Sequence, residues 1–336
     1  MGWGLAKEVR LFEDFANVWT PVAYADELGA GAPLGLTIAQ THVVLFRGRD
    51  GIPHALLDRC PHRGAALSLG KVVDGCIECP FHGWRFEGNG ATVRVPWNPD
   101  AKLHNLHADP VPARELAGQI WIYTAPGHSA PEEPSVNEYL VDPGVRVSGQ
   151  VIEWRAHWTR AMENMLDWAH LPFVHRKTIG RDLAKKIGGR LEILRDEKSW
   201  GVSSRISVDG KEQPGMLDYR WPNQMNLHIT LRGKKVLMAV ACVPVDAHRT
   251  RMMLSIARPF LRSQIFDRVF DHMNKRIAKE DQAVVESSSP AEMPAAGLEQ
   301  SVRTDSLTLR FRKDYFAHLK GTSARRAQPA DAGSAS

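Results

Sequence analysis

Cys60-Pro61-His62-Arg63-Gly64 and Cys79-Pro80-Phe81-His82-Gly83-Trp84 decide how this chain is read. Sixteen residues separate His62 from Cys79. Each stretch offers one thiol and one imidazole, with one residue between them in the first and two in the second. Gly64 and Gly83 follow close behind the histidines. A group held between two loop tips needs tight turns and close backbone approach there, and glycine permits both.

Two thiolates and two imidazoles suit a [2Fe–2S] cluster with the cysteines on one iron and the histidines on the other, a Rieske centre. Cys60, His62, Cys79 and His82 are its expected ligands. Neutral imidazoles in place of charged thiolates raise the potential above that of an all-thiolate cluster. The competing reading is a structural Cys2His2 zinc site. Zinc modules open with a pair of cysteines two to four residues apart, and Cys60-Pro61-His62 does not.

A second constellation lies further along, in Glu163-Asn164-Met165-Leu166-Asp167-Trp168-Ala169-His170-Leu171-Pro172-Phe173-Val174-His175. Asn164, Asp167 and His170 recur every three residues, so a helix carries them along one face. His175 falls off that face, and Pro172 is expected to bend the chain so that it returns. Two imidazoles and one carboxylate form a facial triad that leaves positions open on Fe(II). The carboxylate is expected from Lys279-Glu280-Asp281-Gln282. Phe266, Phe270, Met273, Ile277 and Val284 mark the inner stripe of a helix there, and Asp281 falls on it. A carboxylate on an apolar face must be paired or metal-bound. Glu280 remains a rival ligand.

The rest of the chain frames these two sites. Its 336 residues favour two domains, and 43% hydrophobic with 24% charged residues is ordinary globular composition. A net charge of +5 without a dense Lys/Arg block does not suggest nucleic acid. No run is long and apolar enough for a membrane span. Four cysteines, two of them assigned to the cluster, favour a reducing compartment, so a cytoplasmic protein is expected. Residues 1–17 are read as an N-terminal helix. Residues 18–125 read as short strands, such as Val43–Phe46, Ala55–Leu57 and Ile120–Tyr123, separated by Gly-rich turns. Residues 126–136, with Pro126, Pro131 and Pro134, read as a linker. Residues 137–320 form the second domain, whose centre from Gly201 to Phe260 is again strand-like. Residues 321–336 are Ala, Gly and Ser rich and read as a disordered tail. Gly29-Ala30-Gly31-Ala32-Pro33-Leu34-Gly35 is a loop, not a dinucleotide fingerprint, because its spacing is wrong and Pro33 interrupts it. With no nucleotide site, electrons must come from another polypeptide.

Both motifs resemble those of the Rieske non-heme iron oxygenases, over residues 18 to about 290. Asp167, His170 and His175 match the family's Asp-x-x-His-x-x-x-x-His pattern, and the Lys-Glu-Asp segment resembles its late ligand segment. The resemblance implies an α+β chain: an all-β Rieske domain, then a helix-grip catalytic domain with a curved antiparallel sheet. It implies His170, His175 and Asp281 on a mononuclear Fe(II), and Asn164 as a nearby polar group. It implies Asp167 as the carboxylate linking a cluster histidine to an iron histidine across a subunit boundary in a homotrimer. High-potential respiratory Rieske proteins carry a disulfide between the loops where Ala65 and Phe81 stand here. Its loss places the potential near the low end, about −150 mV. The implied activity is oxygenation of a small apolar substrate, aromatic, alkaloid or sterol-like, with O2. Electrons from NAD(P)H would arrive through a separate reductase or ferredoxin. Chain length resembles the α-only members, which favours a monooxygenase or demethylase over a ring dihydroxylating dioxygenase. Met216, Leu217, Met225, Leu227, Ile229, Met238 and Val240 are candidate pocket walls.

Overall fold

Residues 10–231, 233–295 and 297–325 are described by the computed structural model. The chain divides into two units, one of residues up to 133 together with those from 321, the other of residues 134–320. The division falls inside residues 126–136, which contain neither helix nor strand.

The first unit is built from short antiparallel strands. One sheet runs in the order Pro110–Val111, Pro53–Leu57, Thr41–Arg47, Leu34–Ile38. A second orders Ala113–Leu116, Gln119–Tyr123 and Trp19–Tyr24. A third orders Lys71–Val73, Cys76–Glu78, Arg85–Phe86 and Thr92–Arg94. Val44, Phe46, Leu56, Leu67, Ile77, Phe86 and Ala108 form one apolar cluster, and Cys60 and Cys79 belong to it. The cluster loops therefore rest on the core itself. Emptying that floor, as in Phe86→Ala, would cost about 3–5 kcal/mol.

Both chain ends of this unit depart from expectation. Residues 10–17 form no helix. Arg10–Leu11 is a strand, and positive φ at Phe12, Asp14 and Asn17 turns the chain where a helix would need negative φ. Residues 1–9 of the expected helix lie outside the described residues. The expected disordered tail also begins as structure. Ala324–Arg325 pairs antiparallel with Arg10–Leu11, Ala324 is buried, and the Gly321 N–H donates to the Asp14 carboxylate. Residues 326–336 lie outside the described residues.

The second unit holds one large antiparallel sheet, in the order Arg146–Trp154, Arg249–Arg258, Lys234–Asp246, Gln224–Leu231, Met216–Arg220, Gly201–Val208, Leu191–Lys198. Lys211–Glu212 pairs onto Gly201–Val208. Helices α1 (Trp158–Leu166), α2 (Leu171–Val174), α3 (Arg181–Ala184), α4 (Asp267–Val285) and α5 (Ser306–His318) flank it in chain order. Side chains alternate between the faces of a strand. Cross-strand rows Leu217–Leu227–Met238 and Met225–Val240–Leu254 therefore share one face. Among the described residues no helix is long and apolar enough to cross a membrane.

Candidate functional site

The two cluster loops are built alike. Cys60 N–H donates to Ala65 O at 2.8 Å, and Gly64 N–H returns to Cys60 O at 2.8 Å. Cys79 N–H donates to Trp84 O at 2.8 Å, and Gly83 N–H returns to Cys79 O at 3.0 Å. Each loop closes through a glycine at positive φ, +73° for Gly64 and +69° for Gly83. A side chain there would strain the turn, which is why the sequence places glycine at both.

These turns bring the four expected ligands together. The His62 and His82 ring centroids lie 4.6 Å apart, and His62 stacks on Trp84 at 4.6 Å with planes 5° apart. Cys60 and Cys79 are both free, buried thiols. Burial, joined by the neighbouring Cys79, pushes the Cys60 thiol up to about 11. Burial, with His82 and Arg63 nearby, lowers His62 below its ordinary value. His62 Nδ1 is buried without a hydrogen-bond partner. Two paired thiols and an unsatisfied, neutral imidazole are donors suited to a metal centre, and the set fits a cluster of the Rieske kind. Cys242 is fully buried, whereas Cys76 is only partly covered.

The second site is assembled by α1, α2 and α4. Helix α1 buries Trp158, Ala161, Met162 and Met165, and it ends sooner than its periodicity predicts. Asp167 is already extended, with ψ 132°. Its carboxylate then accepts the N–H groups of Ala169 at 2.8 Å and His170 at 3.0 Å. Asp167 thus leaves one helix and caps the next turn, as short acidic side chains do. Pro172 does not make the bend. It stands in the first turn of α2, where its missing N–H costs nothing. The expectation of one helix from Asn164 through His170 is therefore corrected: the break comes at Asp167.

Helix α4 supplies the acid. Its buried residues are Phe270, Asn274, Ile277, Ala278, Asp281 and Val285. Met273 and Val284, expected on the inner stripe, are exposed, because Asn274 and Ala278 take the inner face beside Ile277. Asp281 is inner, as expected. Its Oδ1 lies 3.0 Å from His175 Nε2 and 3.5 Å from His170 Nε2. One ligand atom each from His170, His175 and Asp281 lie within 4.8 Å of one another. Asp281 Oδ1 and His170 Nδ1 are buried without a hydrogen-bond partner. Burial opposes protonation of His175, but the carboxylates of Asp281 and Glu280 outweigh it and raise its pKa. A pocket so arranged attracts positive charge, and the donor set fits a divalent cation with open positions. Glu280 stands elsewhere. Its Oε2 bonds His175 Nδ1 at 2.8 Å, on the far edge of the ring from Asp281.

A cavity of about 550 Å³, its open mouth included, adjoins this triad. Leu217, Met225, Leu227, Met238, Val240 and Leu254, the two cross-strand rows, form its sheet wall. Met216 and Ile229 do not line it; Met216 points to the opposite face from Leu217. Asn164 and Asn274 are the polar amides in the lining, and Asn274 has no signal in the sequence beyond its place on α4.

Known proteins resemble this chain in sequence and fold. The description "Rieske [2Fe-2S] domain" matches residues 18–107, and "Vanillate O-demethylase oxygenase C-terminal domain" matches residues 154–315. Methylxanthine N1-demethylase NdmA of Pseudomonas putida is 29% identical over 324 residues, 90% of this chain and 88% of the relative. Dicamba O-demethylase, oxygenase component, of Stenotrophomonas maltophilia is 36% identical over 169 residues, 49% of each. Chlorophyllide a oxygenase of rice is 26% identical over 286 residues, 80% of this chain. The chain spans about half the length of these last two relatives, 49% and 50%. The structure of NdmA with caffeine superposes with a TM-score of 0.76 at 25% identity, covering 89% of this chain and 90% of that one. Dicamba monooxygenase bound to dicamba gives 0.73 at 25% identity, covering 90% and 96%. The fold and the two sites define a two-part chain, a Rieske cluster domain followed by a domain of the oxygenase C-terminal kind. The chain belongs to the Rieske non-heme iron oxygenases, whose cofactors are a [2Fe–2S] cluster and a mononuclear iron.

Proposed function

We propose that this chain is the terminal oxygenase component of a multicomponent system. It takes electrons from a separate reductase or ferredoxin and hydroxylates or oxidatively demethylates a neutral ring-bearing substrate with O2. Cys60, Cys79, His62 and His82 hold the [2Fe–2S] cluster. His170, His175 and Asp281 hold Fe(II). The bound metals supply electron storage and an open coordination position for O2. The chain supplies the rest. Leu217, Leu227 and Met238 bury the substrate ring and exclude water beside the triad. Asn164 and Asn274 offer amides for orientation.

The observation that carries this reading is the cavity itself: an apolar space bounded on one side by His170, His175 and Asp281. Among the described residues its lining includes no Lys or Arg. A carboxylate entering it would lose water without gaining an ammonium or guanidinium partner from the described lining, which is costly. That favours a neutral aromatic or alkaloid-like substrate over a benzoate or a dicamba-like acid. Demethylation is favoured because the catalytic region matches the vanillate O-demethylase description. Ring dihydroxylation is the second reading, supported by 32% identity over 160 residues to 3-chlorobenzoate-3,4-dioxygenase oxygenase subunit of Comamonas testosteroni. Assembly as a homotrimer and a cytoplasmic location complete the proposal, the latter supported by four free cysteines.

Iron analysis with a surrogate reductase tests it. About three irons per chain and substrate-dependent O2 uptake are expected. His170→Ala and His175→Ala should keep the cluster colour and lose uptake. About two irons per chain with no uptake would instead indicate an electron carrier with a binding domain.

A further inference from the structure

His175 faces a carboxylate at each ring nitrogen, supplied by consecutive residues of one helix. Asp281 Oδ1 stands 3.0 Å from Nε2, and Glu280 Oε2 stands 2.8 Å from Nδ1. Glu280 is itself held, because Thr178 Oγ1 donates to the same Oε2 at 2.7 Å. We propose that Glu280 is a positioning residue: its bond to Nδ1 fixes the His175 tautomer and ring plane, and so sets how firmly the mononuclear iron is retained. This rests on the reading of His170, His175 and Asp281 as iron ligands.

The balance of donors and acceptors around the ring requires this. A neutral imidazole carries one N–H, and only its other nitrogen can bind a metal. A carboxylate only accepts, so Glu280 pairs with Nδ1 when the hydrogen is there. Nε2 is then left as a lone pair on the side where Asp281 stands. An outer partner of this kind fixes the ring and raises its basicity as a ligand. Glu280 cannot serve as the ligand itself while it occupies the opposite edge of the ring. The local turn makes the arrangement rigid. Thr178 follows His175 by three residues, and its backbone N–H also donates to His175 O at 2.9 Å. His170 has no equivalent grip. Its Nδ1 lies 3.4 Å from Asp167 Oδ2 and is buried without a hydrogen-bond partner. The two histidines therefore differ: one is locked by Glu280 and Thr178, the other is held more loosely.

The test uses the full-length holoenzyme and the variants Glu280→Ala, Glu280→Gln and Thr178→Val. Loss of mononuclear iron to a ferrous chelator is timed, with cluster absorption as an internal reference. The visible spectrum of the Co(II)-substituted mononuclear site reports ligand geometry, and thermal melting reports the fold. Glu280→Ala should lose iron about 10–100-fold faster, with shifted Co(II) bands. Glu280→Gln should return both to near wild type, because its amide oxygen accepts the same N–H. Thr178→Val should fall between. Iron retention and Co(II) bands like wild type in Glu280→Ala would overturn the proposal. So would Glu280→Gln behaving like Glu280→Ala while melting normally. If Glu280→Ala does not fold, an unchanged loss rate in Thr178→Val overturns it. Wild-type protein that takes up no mononuclear metal would instead sink the ligand reading, a result distinct from any variant effect.

Discussion

Asp167 holds His170 from two directions: its Oδ2 accepts the His170 backbone N–H at 3.0 Å and lies 3.4 Å from the ring Nδ1. Burial opposes ionisation of Asp167, but the His170 ring and the Ala169 and His170 N–H groups outweigh it and keep the carboxylate below its usual range. Oδ1 caps the Ala169 N–H and Oδ2 the His170 N–H, and the charged Oδ2 edge also stands beside Nδ1. We propose that this edge is the bridge to a cluster histidine of another subunit, a role supported by the family resemblance. Asp167→Asn keeps an oxygen for the cap and removes the charge. It should fold, hold both metals, and slow reoxidation of the reduced cluster in a single turnover by roughly 10–100-fold or more. Reoxidation at the wild-type rate would leave Asp167 as a backbone cap alone.

What the sequence discloses here follows the range of each interaction. The cluster loops are local, so Cys-x-His, Cys-x-x-His and the glycines at positive φ can be read directly. His170 and His175 can be read as a pair, but the path between them cannot. Spacing favours one helix through His170, and the side chain of Asp167 stops it by capping the turn that follows. On α4 the apolar pattern points to Asp281, which the structure brings beside His170 and His175, but misplaces the stripe, because Asn274 and Ala278 face inward without being strongly apolar. The pairing of Arg10–Leu11 with Ala324–Arg325 joins two segments far apart in the chain and has no local signature.

That pairing is itself open to test. Besides the strand register, Asp14 N–H donates to Thr322 O at 2.9 Å and the Gly321 N–H donates to Asp14 Oδ1 at 2.6 Å. A chain ending at Lys320 would forgo these bonds and uncover Leu11, which is buried. Removing several hydrogen bonds and exposing one apolar side chain should cost about 1–3 kcal/mol. Urea denaturation followed through cluster absorption should show an earlier midpoint for the truncated chain. Removing only residues 326–336 should leave the pairing in place, and an equal loss of stability there would contradict this account.

Acid stability should depend on Glu299. Arg160 and Arg312 both hydrogen-bond its carboxylate, at 2.7 Å for Arg160 Nη2 and 2.5 Å for Arg312 Nη2. Bonding to Arg160 comes first; Arg312 adds to it against the cost of burial, and Glu299 is held down at about 2. The folded pKa lies below the unfolded one, so the stabilisation is complete above the unfolded value, about 4.3. It is lost as pH falls towards the folded value. The melting temperature attributable to this group should therefore be level from pH 7 to about 5 and decline below it. Glu299→Gln should lower stability at pH 7 and flatten the decline between about pH 5 and 2. A decline of the same size in the variant would assign acid sensitivity to other carboxylates.

Asn274 carries the prediction about substrate. It is buried in the cavity lining, and its Nδ2 has no hydrogen-bond partner. A buried amide left unsatisfied is a cost to the folded chain, and a ligand oxygen or ring nitrogen can relieve it. Replacement by leucine removes the unsatisfied group and keeps the number and branching of the side chain's heavy atoms. Asn274→Leu should therefore melt at the wild-type temperature or slightly above it. Its KM for a carbonyl-bearing neutral substrate should rise about 2–10-fold, the worth of one neutral hydrogen bond of about 0.5–1.5 kcal/mol, with kcat changed much less. For a substrate lacking any polar group the same variant should bind as well as wild type. Steady-state O2 uptake with a matched pair of such substrates decides the matter: an equal rise in KM for both would mean that Asn274 shapes the cavity and does not recognise a polar group.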